Sequence, residues 1–272
     1  MESRRSIGII GGSGFEQYPE LLVERRVVVS TPYGFPSDEL LIGKVGDTDV
    51  VFLPRHGADH RIAPHRIPYK ANLAAMKSFG VSTVLSTCIV GSLKKTIEPG
   101  FFVVPDQFVN FTSGRDADSV ESDGSFVHLP MALPYCQALR IEMIRALQRA
   151  VGSKFQGDGT VVVIQGPRFS TTAESKFFIR NEWDIVNMTQ YPECLFAREL
   201  GMCYATLASV TDWDVGVGES LSMKPETMDQ VLDIFRKNTQ VTRQVIGDVL
   251  SQLSAFTCGC ANAVVTEYYK RR

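Results

Sequence analysis

Short apolar runs rich in Val and Ile recur along the chain, with polar or turn-forming residues between them. Such runs, bounded by Gly, Pro, Asp or Ser, are typical of β-strands. The pattern predicts strands at residues 6–10, 26–30, 38–45, 48–54, 81–87, 101–105, 160–165 and 203–210.

Longer stretches with apolar residues at helical spacing lie between several of these strands. Glycines stand at or near the ends of three of them, at Gly80, Gly152 and Gly201, as helix C-termini favour. Strands interleaved with helices indicate an α/β fold with a mixed sheet. The predicted helices cover residues 69–80, 135–152, 172–182, 191–201 and 225–253.

No linker, internal repeat or low-complexity block divides the sequence. We therefore expect one domain over residues 1–272, with a C-terminal tail from about residue 255. The polar, turn-rich segment 106–127 predicts a long loop, and loops of this length in compact domains are usually functional or mobile.

Composition and charge narrow the class of protein. The chain has 272 residues, 44% of them hydrophobic and 21% charged, which is ordinary for a globular protein with a large core. The 28 basic and 30 acidic residues nearly cancel, so a nucleic-acid or anionic membrane partner is not indicated. The first apolar run is too short for a signal peptide, and no run suits a membrane helix. We expect a cytoplasmic protein.

Six cysteines in a chain of this length do not indicate a disulfide scaffold. The "CGC" at Cys258–Cys260 could be half of a metal site. No second Cys/His pair stands at zinc-finger spacing from it, so we expect no structural metal.

Two carboxylates, Asp212 and Asp214, follow the last predicted strand two residues apart in "TDWD". In an extended chain such side chains point the same way. In a dry pocket they cannot both ionise easily, so one has a raised pKa and can carry a proton. Metal binding, glycoside cleavage and simple solvation are the alternatives that the pair alone leaves open.

Three other segments suggest sites for an anion and a planar ligand. The "IGIIGGSGF" run places Gly12 and Ser13 after a strand, as either a tight turn or a phosphate nest. It lacks a complete dinucleotide fingerprint and a P-loop lysine. Arg55 and His56 end another strand and suit phosphate, although such a pair is often only a surface feature. In "GPRFST", Phe169 stands in a turn before a helix, where it could stack on a base.

The order and wording of these segments resemble the methylthioadenosine phosphorylases, within the trimeric purine nucleoside phosphorylases. The resemblance covers roughly residues 6–240 and rests on "GIIGGSGF", "TPYGFPSD", "PRHG", "VGSL", "GPRFST", "NMT" and "CYATLASVTDWD". It implies a single-domain α/β fold whose twisted mixed sheet is partly closed into a barrel and flanked by helices.

The resemblance also implies a reaction, in which inorganic phosphate attacks C1′ of a purine nucleoside and no metal or organic cofactor takes part. The purine leaves with a proton on N7, which Asp212 would supply, while Asp214 would accept a hydrogen bond from a 6-amino group. The implied phosphate-binding residues are Gly12, Ser13, Arg55, His56, Cys88, Ile89 and Thr189. The implied substrate-binding residues are Phe169, Ser170, Met188, Asp212, Trp213, Asp214, Met228, Leu232 and His128.

His128 would reach the 5′-methylthio group from a neighbouring subunit, and Met228 and Leu232 would line its pocket from the C-terminal helix. The i, i+4 spacing of these last two residues is equally typical of core positions. Because the family's site borrows residues from a neighbouring subunit, the resemblance implies a homotrimer, with a hexamer as the alternative.

Two departures from the family leave other functions open. Cys88 and Ile89 stand where Thr or Ser followed by Ala is usual, which weakens a donor and crowds the ribose. The alternatives are a phosphorylase that prefers 6-oxopurine nucleosides or methylthioinosine, and a weakened nucleoside-binding protein. Cys136 and Cys203 also stand where thermophilic members form a disulfide, and Cys258 and Cys260 match their C-x-C tails.

Overall fold

A computed structural model describes residues 6–115, 128–217, 225–253 and 257–262. Within residues 225–232 it describes the backbone alone. The greater part of the loop predicted at 106–127 and the end of the tail therefore lie outside the described residues, as do the side chains of Met228 and Leu232.

The described strands form one mixed sheet, in agreement with the predicted fold class. Its main path has the order β2-β3-β4-β1-β5-β10-β9-β7, while β11 pairs with β5 and β6, and β6 pairs with β8. Within the described chain these ladders branch at β5 and do not close into a ring. The strands are β1 (Ile7–Gly11), β2 (Leu22–Val27), β3 (Leu40–Val45), β4 (Thr48–Pro54), β5 (Thr83–Ser92), β6 (Phe102–Val103), β7 (Gln107–Phe111), β8 (Phe155–Gln156), β9 (Thr160–Ile164), β10 (Ile185–Asn187) and β11 (Cys203–Trp213).

The helices agree with the apolar periodicity to within a few residues at each end. They are α1 (Tyr69–Ser78), α2 (Gln137–Val151), α3 (Thr172–Arg180), α4 (Gln190–Glu199) and α5 (Pro225–Gln252). Helix α3 begins with a capping box, in which Thr171 Oγ1 accepts from the Glu174 N–H and the Glu174 carboxylate accepts from the Thr171 N–H.

Four strands differ most from the sequence prediction, and one of them, β8, has two residues and was not predicted at all. The strand expected at 26–30 lies at 22–27, because β2 is an exposed edge strand whose extent is set by pairing with β3 and a bulge at 23–25. Strand β7 occupies 107–111, inside the predicted loop, where it pairs with β9. Strand β10 has only three residues, too few for a period to be read.

The long strand β11 forms the centre of the molecule and is buried from residue 203 to residue 211. Alternate side chains enter two different cores, as a strand with both faces covered requires. Ala205 and Leu207 pack with α2 and α5, whereas Tyr204 packs with α1 and α4. Strands β1, β4, β5 and β11 are mutually parallel, so their carboxyl ends meet at one edge of the sheet.

Candidate active site

A recess open to solvent lies at this edge. It is bounded by the loop after β1, by the middle of β5 and by α5. This is the end of an α/β sheet where ligands usually bind. The lining residues are Ser13, Gly14, Phe15, Thr87, Cys88, Ile89, Ser209, Phe235, Thr239 and Thr242.

The glycines of the β1 loop are needed for close packing. A Cβ on Gly12 would lie 2.6 Å from Arg55 Nη1, and one on Gly14 would lie 2.3 Å from the Phe235 ring. Their N–H groups are already engaged, since Gly12 donates to Thr87 Oγ1 at 3.1 Å and Gly14 to Glu16 Oε1 at 3.0 Å. Among the predicted residues of this loop, Ser13 is the one that lines the recess.

Arg55 is buried beneath this loop, and its guanidinium is largely committed to protein partners. Its Nε and Nη2 donate to the Glu193 carboxylate at 2.6 and 2.8 Å, Nη2 also to Ser86 Oγ, and Nη1 to the Thr87 carbonyl. Burial alone would lower the pKa of Arg55, but the Glu193 charge outweighs it and raises the pKa. Arg55 thus forms a buried ion pair that supports the loop, and its contact with phosphate stays a prediction.

His56 is buried and neutral. Burial, with the Arg55 charge second, lowers its pKa from 6.5 to about 4. Its Nδ1 lies 2.8 Å from the Ile62 carbonyl, and its ring stacks on His60 with the centroids 4.4 Å apart. Because a carbonyl can only accept, Nδ1 carries the proton and Nε2 is left as an acceptor.

Among the described residues, no strand pairs with residues 87–90 of β5 on the edge opposite β11, here called the uncovered edge of β5. The pairing with β1 ends at Ser86, and the antiparallel strand β10 pairs with Gly91 and Ser92. The carbonyls of Thr87 and Ile89 in this gap accept from Arg55 and Asn187. In a strand the N–H and C=O of one residue face the same edge, so the Ile89 N–H also faces the gap. A main-chain donor is therefore directed toward the recess.

The Cys88 thiol points away from this gap. Its Sγ accepts from Gln190 Nε2 at 3.4 Å and packs in a core with Val90 and Ala208. Burial raises the pKa of Cys88 to about 12, so the thiol is neutral. The side chain thus packs in the core although the residue also lines the recess, and the role of Cys88 in phosphate binding stays a prediction.

Met188 and Thr189 follow β10. Thr189 is buried, and its N–H and hydroxyl both contact Asn187 Oδ1, at 2.6 and 3.2 Å. Met188 lies below the turn that precedes Phe169, since a Cβ on Gly166 would be 2.6 Å from its Sδ.

The structure brings Asp212 and Asp214 together beside Gly91. A Cβ at Gly91 would lie 3.6 Å from Asp212 Oδ2 and 3.7 Å from Asp214 Cβ. A bulge between Val210 and Asp212 shifts the register with β5, and the Asp214 N–H donates to the Ser92 carbonyl. Glycine at position 91 leaves the space between the two acids open.

Both acids have raised pKa values. Burial is the main cause for each; the Asp214 charge raises the pKa of Asp212 further, and the Thr211 hydroxyl opposes the rise. The Ser175 hydroxyl, and after it the nearby Ser170 hydroxyl, oppose the rise in the pKa of Asp214. Asp214 Oδ2 and Ser170 Oγ are buried and have no hydrogen-bond partner among the described residues. The site thus presents a proton carrier and two unused polar atoms.

Other predicted substrate-binding residues are not gathered into this site within one chain. Phe169 is 72% exposed and Trp213 41% exposed, because each lies where its segment leaves the core. His128 is also exposed. The side chains of Met228 and Leu232 lie outside the described residues, on a stretch of α5 whose backbone is helical.

Sequence reasoning missed the part of the recess that α5 provides. Phe235, Thr239 and Thr242 continue the spacing of Met228 and Leu232 by three or four residues at each step. Extending that helical face by about three turns would have found them. Thr87 was missed because its role depends on the Gly12 N–H, which is remote in sequence.

The sequence model of one family, the phosphorylase superfamily, matches residues 6–251. The chain belongs to this superfamily. An S-methyl-5'-thioadenosine phosphorylase of Nitrosopumilus maritimus is 40% identical over 97% of this chain and 98% of its own. A purine nucleoside phosphorylase of Streptomyces coelicolor is 41% identical over 96% and 95%.

The superfamily fold is also seen in solved structures. The methylthioadenosine phosphorylase of Schistosoma mansoni, in complex with adenine, superposes with a TM-score of 0.87 at 36% identity, and 93% of each chain is covered. Among the described residues of the present phosphorylase, no helix is long and apolar enough to cross a membrane.

Proposed function

We propose that the protein cleaves S-methyl-5'-thioadenosine with inorganic phosphate, releasing adenine and 5-methylthioribose 1-phosphate. The observation that carries this proposal is the pair formed by half-buried Asp212 and buried Asp214 beside Gly91, at the edge where the recess opens. The names of the Nitrosopumilus and Schistosoma relatives support it. The protein is then a pentosyltransferase of purine and methionine salvage, and the cytoplasmic location stays a prediction.

Asp212 acts as the general acid in this proposal. A purine is a poor leaving group unless N7 is protonated, and acid catalysis of this kind contributes about 10² to 10⁴-fold. Burial and the Asp214 charge raise the pKa of Asp212, so it retains a proton closer to neutral pH. The proton passes from its carboxyl to N7 as the bond to C1′ breaks.

Asp214 selects the base. Its buried Oδ2 lacks a partner among the described residues and can accept from the 6-amino group of adenine. A 6-oxo group is itself an acceptor and would leave the carboxylate unpaired. Sites built around such a hydrogen bond discriminate strongly against bases that lack the donor. Ser170 Oγ supplies a second unused polar atom beside the base.

Phosphate is the co-substrate, and the reaction uses no metal or organic cofactor. Ser13, the Ile89 N–H and the neutral His56 would contact it, His56 by accepting from a protonated phosphate oxygen. The wall behind the phosphate would be formed by Gly12, Arg55, Cys88 and Thr189. Their polar groups already hydrogen-bond to other protein groups.

The first test is release of adenine from S-methyl-5'-thioadenosine, measured by chromatography with and without phosphate. We expect release that depends on phosphate, with adenosine accepted more weakly and inosine poorly. Release of base without phosphate, or binding without turnover, would contradict a phosphorylase. A clear preference for inosine would contradict the assigned substrate.

The acids are tested by substitution. Asp212→Asn should lower kcat by about 10² to 10⁴-fold and remove the decline of kcat that deprotonation causes at high pH. A matched control is Asp248→Asn, which removes an aspartate paired with Arg149 away from the recess and should leave kcat unchanged. Near-normal turnover of Asp212→Asn would rule out the acid role.

The second candidate function is a phosphorylase for 6-oxopurine nucleosides or methylthioinosine. The Streptomyces coelicolor purine nucleoside phosphorylase, at a similar identity, favours it. The Asp214→Asn variant separates the two, because an amide can donate to a 6-oxo group. We expect it to shift preference from methylthioadenosine toward methylthioinosine. The third candidate, a weakened binding protein, is disfavoured because the Cys88 side chain lies in the core.

The proposed assembly is a homotrimer, with a hexamer as the alternative. Exposed Phe169 and His128 are the predicted base-binding and shared residues, and a neighbouring subunit would cover them. Native mass spectrometry of the full chain tests this arrangement. A fully active monomer would contradict a site shared between subunits.

A further inference from the structure

Four cysteines gather at the end of β11 opposite the acids. The Sγ atoms of Cys136, Cys203, Cys258 and Cys260, here called the four-thiol cluster, all lie within 4.8 Å of one another. Cys203 begins the 11-residue strand β11, which at roughly 3.3 Å per residue places the cluster about 30 Å from Asp212. The cluster is therefore separate from the proposed catalytic site.

The folded core fixes two of the four thiols. The Cys136 N–H donates to the Tyr204 carbonyl at 2.9 Å, and the Cys203 N–H donates to the Ser82 carbonyl at 2.8 Å. Cys136 and Cys203 are both buried, so their main chains and side chains are held in place before any ligand binds. They form the base of a preorganised site.

The C-terminal tail provides the other two thiols. Cys258 is exposed and Cys260 half-buried, at the start of the short 3-10 helix Cys260–Asn262. This helix packs on the turn between α4 and β11, where a Cβ on Gly201 would lie 3.5 Å from Ala261 Cα. The tail thus covers the base of the cluster.

Two features favour thiolates at this place. Cys136 is the N-cap residue of α2, and the N-terminus of a helix stabilises a negative sulfur. The Cys260 N–H donates to Cys258 Sγ at 3.4 Å. A disulfide sulfur carries no such charge, so these donors suit a metal thiolate better.

We propose that the four-thiol cluster binds one Zn²⁺ in tetrahedral geometry and thereby fastens the C-terminal tail to the core. With Zn–S bonds of about 2.3 Å, the sulfurs of such a centre lie about 3.8 Å apart, within the span of the cluster. The Cys203–Cys258 separation of 2.7 Å is shorter, and the exposed Cys258 would move outward by about 1 Å. On binding, each thiol still protonated gives its proton to solvent, and no oxidant is required.

The sequence-based expectation of no structural metal depended on spacing along the chain. "CGC" has no second pair at zinc-finger distance in sequence, but the fold brings Cys136 and Cys203 beside it in space. All six cysteines are free thiols in the structure, and Cys88 and Cys194 lie in separate cores.

The metal content of the full-length protein tests this proposal. The protein is reduced, stripped with a chelator, incubated anaerobically with Zn²⁺ alone and desalted, and zinc is measured by mass spectrometry. We expect one Zn²⁺ per chain in the wild type and a loss of it in Cys258→Ser/Cys260→Ser. This double variant alters the tail and leaves the core pair intact. Cys194→Ser is the matched control, with a buried thiol outside the cluster, and should retain zinc.

Cobalt provides a second readout that does not depend on folding yield or activity. Co²⁺ in place of Zn²⁺ should give the intense sulfur-to-metal absorption of a tetrahedral thiolate site in the wild type and in Cys194→Ser. The double variant should lack it. Equal zinc and cobalt signals in wild type and double variant would overturn the proposal. Two disulfides in freshly isolated, denatured and alkylated wild type would overturn it as well.

Discussion

Arg55 and Glu193 form a buried ion pair directly below the glycine loop, with both side chains 1% exposed. An ion pair at such depth contributes little net stability, but removing one partner leaves an uncompensated charge. Its value here is positional: the guanidinium also holds Ser86 and the Thr87 carbonyl, and so fixes β5 against the loop.

Glu193→Gln should therefore destabilise the protein by about 3 to 5 kcal/mol, measured by urea unfolding. The control is Asp49→Asn, which breaks the half-exposed pair with Lys44 and should cost less than about 1 kcal/mol. Similar costs for the two variants would mean that the Arg55 charge finds another partner.

His56 links stability to pH. Its folded pKa of about 4 lies below the ordinary 6.5, so the native state favours the neutral ring. The stability that this provides is complete above about pH 6.5 and is lost as pH falls toward 4. Between pH 7 and pH 4.5 the wild type should lose about 2 to 3 kcal/mol more than His56→Gln. Parallel pH profiles of unfolding for the two proteins would show that the ring is not held neutral.

At the level of elements, the contact between the β1 loop and α5 closes one side of the recess. Gly14 has a φ of +77°, and the Phe235 ring occupies the space that its side chain would take. A substitution here therefore combines backbone strain with a steric clash, and the two contributions can be separated.

Gly14→Ala should cost about 1 to 2 kcal/mol for the left-handed backbone and about 1 to 3 kcal/mol more for overpacking. In a Phe235→Leu background only the first part should remain, as a double-mutant cycle would measure. Gly46→Ala is the control, since Gly46 also has a positive φ but nothing within 4 Å of its Cβ position. A cost at Gly14 no larger than that at Gly46 would exclude the clash.

The elements that the sequence predicts well are those whose own residues decide their structure. Helix α2 carries a clear helical period, and strand β11 is a continuous buried run that is mostly apolar. Strands β7 and β10 form because they pair with the edges of β9 and β5, and no local sequence pattern predicts such pairing. Edge strand β2 is exposed along most of its length, so hydrophobicity places its ends poorly.

On the scale of the whole molecule, the same distinction applies to the candidate site. Asp212, Asp214, Ser13 and His56 could be predicted because their residue types suggest chemistry. Thr87 and the uncovered edge of β5 could not, since they depend on where β1 ends and β10 begins. The four-thiol cluster was missed for the same reason.

The uncovered edge of β5 predicts how two substitutions change the KM for phosphate. Cys88→Ala should change the KM for phosphate by less than about two-fold, because the thiol contacts Gln190 in the core. Ser13→Ala, which removes a hydroxyl that lines the recess, should raise it by about ten-fold, as the loss of a hydrogen bond to a charged group predicts. Steady-state kinetics at varied phosphate measure both values. A larger effect at Cys88 than at Ser13 would contradict the assignment.

The position of a main-chain hydrogen-bond donor depends on the order of the strands and not on the side chain of its residue. The Ile89 amide keeps its direction whichever side chain position 89 carries, as long as β1 and β10 leave the same four residues of β5 uncovered. The side chain at position 89 can therefore differ between relatives while the capacity to hold an anion persists, and an unusual residue there is a poor guide to lost activity.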